Sequence, residues 1–174
     1  MRLLCARRTN GNSYVPALNS SLSPNFTFDQ AVHSDVAAHD GIDNITPITH
    51  EVMLNIEECA QELEKVRTLL NTELTITSWY RSAELNAQVG GVGSSAHVSG
   101  YAVDFVSPSF GSPYQICVAL ERYLTYLNID QLILDRNSSG SHWVHVAFAP
   151  PGVARHETLT KVGNGYMAGI ILSI

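Results

Sequence analysis

The chain has 174 residues and a mass of 19.0 kDa, with 45% hydrophobic and only 15% charged residues. That is length enough for a sizeable core and a composition unlike that of a disordered chain. The net charge of −6 and the pI near 5.5 exclude a general binder of nucleic acid or anionic membrane, which needs a positive surface. No apolar run approaches the ~20 residues of a membrane span. The run behind Met1-Arg2 is too short for a secretory signal, so no export signal is expected. Cys5, Cys59 and Cys117 are odd in number and far apart, which argues against a disulfide framework or a cysteine-based zinc site.

Charge is unevenly spread. Residues 1–8 carry three arginines, whereas residues 29–73 carry ten acids against Lys65 and Arg67. Residues 1–22 read as an N-terminal arm or packed strap, and residues 23–174 as one domain. A short helix is predicted near Phe28–His33. The clearest helix opens at Thr46-Pro47, an N-cap followed by proline at the first helical position. Val52, Ile56, Cys59, Leu63, Val66 and Leu70 recur at helical spacing as one buried stripe, and Glu57, Glu58, Glu62 and Glu64 form a solvated face. Strands are predicted at Leu74–Trp79 and Tyr101–Val106, on either side of a loop-rich segment from Gln88 to Gly100. Ser112-Pro113 opens a helix reaching about Leu127. Two strands, Gln131–Asp135 and Trp143–Phe148, flank the loop Arg136–Ser141, and the apolar run 166–174 reads as a last strand. Helices and strands segregate without regular βαβ alternation. The fold class is therefore α+β, a small mostly antiparallel sheet flanked by helices.

Three residues stand out chemically. Asp104 sits inside the apolar strand Tyr101-Ala102-Val103-Asp104-Phe105-Val106, where a carboxylate is costly unless a cation or hydrogen bonds satisfy it. His97 follows a Gly/Ser-rich loop, and His145 lies in the strand His142-Trp143-Val144-His145-Val146. Neighbouring antiparallel strands would bring Asp104 to His145, with His97 reaching in from the loop. Two imidazoles and a carboxylate suit a tetrahedral zinc site with one open position. The competing reading is a buried Asp bonded to backbone amides and two partly buried histidines. The remaining histidines, His33, His39, His50 and His156, read as surface or helix-end residues.

Three strings carry a resemblance: Thr77-Ser78-Trp79-Tyr80-Arg81-Ser82 with Glu84-Leu85-Asn86 and Val89-Gly90-Gly91; Ser95-Ala96-His97-Val98-Ser99-Gly100-Tyr101-Ala102-Val103-Asp104-Phe105; and Trp143-Val144-His145-Val146. Together they resemble the zinc D-alanyl-D-alanine carboxypeptidase family, which includes phage L-alanyl-D-glutamate endopeptidase endolysins and shares its fold with the Hedgehog signalling domain. The resemblance spans roughly residues 22–170. It implies Zn2+ held by His97, Asp104 and His145, and a peptidoglycan stem peptide as substrate. It also implies a carboxylate-gripping role for Arg81, whose fork suits two hydrogen bonds; a salt bridge to Glu84 or Asp104 is the bland alternative. Ser95 is expected to assist by hydrogen bonding.

Two departures matter. Trp79 replaces a glycine common in the family and reads either as narrowing the cleft or as a subsite wall. His142 stands where several members have the Glu of E-x-x-H, so the general base is either His142 or Asp135 at the end of the preceding strand. The expectation is a zinc metallopeptidase cutting D-amino-acid-containing stem peptides. The alternative is a catalytically weak or inactive zinc-binding structural or cell-wall-binding protein, such as a virion component. A cell-wall substrate without an export signal fits a phage-encoded lysis or virion-associated protein made in the cytoplasm.

Overall fold

The computed structural model describes residues 7–9, 13–149 and 152–172. Two short strands, β1 (Arg7–Thr9) and β2 (Ser13–Val15), pair antiparallel. They lie within the expected arm of residues 1–22, of which residues 1–6 and 10–12 lie outside the described residues. The chain then forms two compact units, residues 1–64 with 78–102, and residues 65–77 with 103–174.

The first unit is mainly helical. Helix α1 (Phe28–Val32) is closed by a reciprocal cap between Thr27 and Gln30, and α2 (Asp35–Asp40) starts on Ser34 and stops at left-handed Gly41. The sequence pattern did not mark α2, because six residues are too few to show a period. The long helix α3 runs His50–Leu70. It begins four residues after the expected Thr46 cap. Asp43 Oδ1 accepts the amides of Ile45 and Thr46 in a turn, and Thr49 caps the helix instead, its Oγ1 accepting Val52 N at 3.2 Å. The stripe of Ile56, Cys59, Leu63, Val66 and Leu70 is buried as expected, with Met53 and Ala60 added and Val52 half-buried. The acids are not simply solvated. Glu58 accepts the Tyr101 hydroxyl at 2.8 Å, and Glu64 binds Ser23 Oγ, Asn25 N and Asn25 Nδ2 at 2.7–2.8 Å. Helix α4 (Ala83–Gln88), also missed for its brevity, is capped by Ser82.

Buried Asn44 holds this unit together. Its Nδ2 donates to Val32 O at 2.8 Å and Tyr80 O at 3.1 Å, while its Oδ1 accepts Ser82 N at 2.6 Å. One amide thus satisfies the end of α1, the 78–82 segment and the start of α4. Trp79 is fully buried, edge-on to Phe26 with ring centroids 6.2 Å apart.

The second unit is built on a sheet. Strands β3 (Thr75–Ser78), β4 (Ala102–Val106), β5 (Ile129–Arg136), β6 (His142–Phe148), β7 (Glu157–Val162) and β8 (Gly165–Ala168) lie in the order β3-β4-β6-β5-β7-β8. β5 pairs antiparallel with β6 and parallel with β7, so the sheet is mostly antiparallel and the α+β expectation holds. The register sets Leu132 against Val146 and Leu134 against Val144, all buried on one face. Of the last strand expected over 166–174 only the start is strand, in β8; it pairs with β7, which the sequence pattern did not mark, turning at Gly163-Asn164 with Gly163 at φ 57, and Ser173 and Ile174 lie outside the described residues. Helix α5 (Pro113–Glu121) carries the expected Ser112 cap but stops well before Leu127. The chain there tightens into successive turns and reaches left-handed Asn128, which redirects it into β5. His156 is half-buried rather than exposed, its Nδ1–H donating to Ile129 O at 2.8 Å.

Two consequences are testable. Gly100 has φ +86, and a Cβ there would stand 2.8 Å from Ile56 Cγ1 and 3.2 Å from the Val52 carbonyl on α3. Gly100→Ala is expected to lose about 2–5 kcal/mol in a urea titration, adding left-handed strain to overpacking. Arg155 makes a forked ion pair with Asp130, at 2.6–3.1 Å. Burial alone would raise the Asp130 pKa, but the hydrogen bonds and charge of Arg155 outweigh it and hold the carboxyl below its ordinary 3.8. A lowered acid pKa contributes stability above the unfolded value that disappears as pH falls through the folded one. Arg155→Met is therefore expected to lower stability at pH 7 by about 1 kcal/mol or less for so exposed a pair, read as a lower Tm, with the gap to wild type closing below pH 3.8.

Candidate metal centre

His97 stands on a run of tight turns after α4. Ser95 N bonds Val92 O at 3.0 Å, Val98 N bonds Ser95 O at 3.0 Å, and Gly100 N bonds His97 O at 3.2 Å. Asn55 on α3 donates to Ser99 O at 2.9 Å and pins the turn from the helix side. His97 is 2% exposed. Its Nδ1 lies 2.6 Å from the Trp79 carbonyl, which fixes the tautomer with Nδ1–H donating and leaves Nε2 as the lone-pair nitrogen. Trp79 is therefore not the subsite wall that its bulk suggested. Its ring is buried, its Nε1–H donates to Gly100 O at 3.1 Å, and its backbone oxygen orients His97. Nothing in the sequence signals this last role, because any residue supplies a carbonyl.

Asp104 sits in the middle of β4 at 5% exposure, as deeply buried as the apolar pattern around it implied. Its Oδ1 lies 2.8 Å from His145 Nδ1 on β6. One ligand atom from each of His97, Asp104 and His145 lies within 4.8 Å of the other two. Donors ~2.0–2.1 Å from a tetrahedral zinc stand about 3.3–3.5 Å apart, inside that limit. The donor chemistry also fits. Two neutral imidazoles and one carboxylate suit zinc, and one imidazole already has the backbone partner typical of a metal-ligating histidine.

Around the trio the expected residues divide. Arg81 sends Nε–H to Ser78 Oγ at 2.8 Å, and its amide bonds His97 O at 3.2 Å, so it is joined directly to the ligand turn. Ser95 Oγ accepts the His97 amide at 3.4 Å. Asp135 is paired across the sheet with Trp143, and Ile133 with His145, so strand alternation sets Asp135 and His145 on one face. Burial pushes the Asp135 carboxyl above its ordinary 3.8; the Arg136 amide opposes this, the Asp104 charge adds to it, and His145 and Lys161 oppose it. His142 opens β6, exposed to solvent, and alternation sends it to the other face from His145. His33 and His39 are exposed and pair with their near neighbours Asp35 and Asp40, as surface residues do.

Residues 24–147 match the model of the peptidase M15 family. That stretch is 124 of 174 residues and contains His97, Asp104 and His145 together with Arg81, Ser95, Asp135 and His142. A search of curated proteins finds no match. With most of its length inside this model and a His-Asp-His donor set within it, the chain belongs to the peptidase M15 family of zinc-dependent metallopeptidases.

Proposed function

We propose that residues 23–174 act as a zinc peptidase on D-amino-acid-containing stem peptides of bacterial peptidoglycan. The observation that carries this reading is the gathering of His97, Asp104 and His145 donor atoms within 4.8 Å, inside the matched family region. When bound, zinc supplies Lewis acidity, polarising a peptide carbonyl and acidifying water.

The residues of the chain do the rest. His97 presents Nε2 because the Trp79 carbonyl holds its other nitrogen. Asp104 and His145 complete the donor set. Asp135, on the His145 face of the sheet, takes up the proton of the attacking water and returns it to the leaving amine; its raised pKa brings it nearer the working range of a general base. Arg81 receives a substrate carboxylate in its fork, and Ser95 adds a hydrogen bond. His142 is the rival base, favoured by its solvent-exposed place three residues ahead of His145.

The second reading is a zinc-retaining structural or wall-binding protein, such as a component of a phage particle. The observation that favours it is the histidine at position 142, where the resemblance leads one to expect the glutamate of E-x-x-H.

Elemental analysis of purified protein is expected to give about one zinc per chain, and digestion of purified peptidoglycan to give a defined new peptide terminus by mass spectrometry. One zinc with no new terminus would transfer the assignment to the second reading, and no zinc would overturn both. His97→Ala is expected to lose both the metal and hydrolysis. Asp135→Asn is expected to keep the metal and lose about 10²–10⁴-fold in kcat. A full-rate Asp135→Asn with an inactive His142→Ala would reassign the base.

A further inference from the structure

The glycine-rich stretch ahead of His97 contributes little to the core, yet it is held firmly from one side. Asn86, near the end of α4, is 2% exposed. Its Nδ2 donates to Val92 O at 2.9 Å, and the same oxygen accepts Ser95 N at 3.0 Å. Its backbone oxygen accepts Gly91 N at 2.8 Å. Its Oδ1 has no hydrogen-bond donor among the described residues and lies against Gly91, where a Cβ would collide with it. Gly91 is not among the positive-φ glycines, so its lack of a side chain serves space and not backbone conformation. Asn86 and Gly91 therefore fit as a pair, at the cost of a buried acceptor without a hydrogen-bond donor among the described residues.

What this pair holds faces outward. Val92 is 68% exposed and Val89 43%, and Ser95 Oγ accepts the amide of His97. A loop with little core of its own gains little stability from being fixed. What it gains is geometry, because a rim held in one conformation binds without a second ordering cost.

We infer that Asn86 is the positioning residue of the substrate rim: through the Val92 carbonyl it sets Ser95 beside His97 and presents the Val92 side chain to the small apolar groups of a stem peptide. The rim's role in substrate binding rests on the peptidase reading; the Asn86–Gly91 lock does not.

The test uses the full-length, zinc-loaded protein with Asn86→Ala, Asn86→Asp, Gly91→Ala, and the double variant that combines Asn86→Ala with Gly91→Ala. Asn86→Asp keeps the side-chain shape and replaces the donor by an acceptor, so it serves where alanine leaves a void that prevents folding. Amide hydrogen exchange at Gly91 and Ser95 is expected to speed up at least tenfold in either Asn86 variant, with zinc content unchanged. Against a purified stem peptide, KM is expected to rise at least tenfold with kcat within threefold, because only the correctly set fraction of rims binds. Gly91→Ala is expected to reproduce that rise alone but to add less than twofold on top of Asn86→Ala, where its clash partner is gone. Unchanged exchange at Ser95, additive effects of the two substitutions, or an active variant with unchanged KM would each overturn the inference. A wild type that cleaves nothing would defeat the peptidase reading, and exchange and coupling would still decide the lock.

Discussion

A carboxylate buried in the middle of an apolar strand is the constraint on which the site depends. Asp104 is 5% exposed, and an ionised group so placed is stable only with positive charge or several donors around it. The described structure gives it the imidazole of His145 at 2.8 Å, with a nitrogen of His97 close by. A divalent cation among these three would replace costly desolvation with coordination, and metal binding would then stabilise the fold itself.

Much of the first unit serves to present one nitrogen of His97. The Trp79 carbonyl takes its Nδ1–H, the Trp79 indole holds the Gly100 carbonyl, and Gly100 lets the backbone approach α3 closely enough to meet Val52 and Ile56. Asn44 holds Tyr80 and Ser82, which flank Arg81, and so fixes the segment that carries Arg81 and the Trp79 carbonyl. The tryptophan that departs from the family pattern is part of this scaffold, with its whole ring in the core.

The proposal of Asp135 as general base rests on strand alternation. Cross-strand pairing of Asp135 with Trp143 sets its carboxyl on the same face as His145, where burial and the Asp104 charge both favour the protonated form. His142, one residue further toward the solvent end of β6, has the opposite parity. A sequence string records that His142 is three residues from His145, but not which way a strand turns its side chains once paired.

By itself the sequence marked Asp104 as a costly buried carboxylate with His97 and His145 as candidate partners, and gave the long helical stripe, the strands of the central sheet and the α+β class. Each rests on a signal local to the chain: an aspartate inside an apolar run, a 3.6-residue period, a β-branched stretch. It carried Gly100 only as part of a resemblance, without the φ of +86 or the contact with Ile56 that require it. Tertiary structure alone decided the rest. Thr46 looked like a helix cap, but Asp43 took its amide, so α3 begins after Thr49. Trp79 looked like a subsite wall until Phe26 and Gly100 gave it a buried seat. Asn86 showed only as a letter in a motif, because its meaning lies in the Val92 oxygen and the empty Cβ position of Gly91 that it meets in space. Side-chain chemistry and local period are written in the order of residues; caps, carbonyl partners and strand faces depend on which neighbours compete for the same hydrogen bond, and that competition is settled only when the chain has folded.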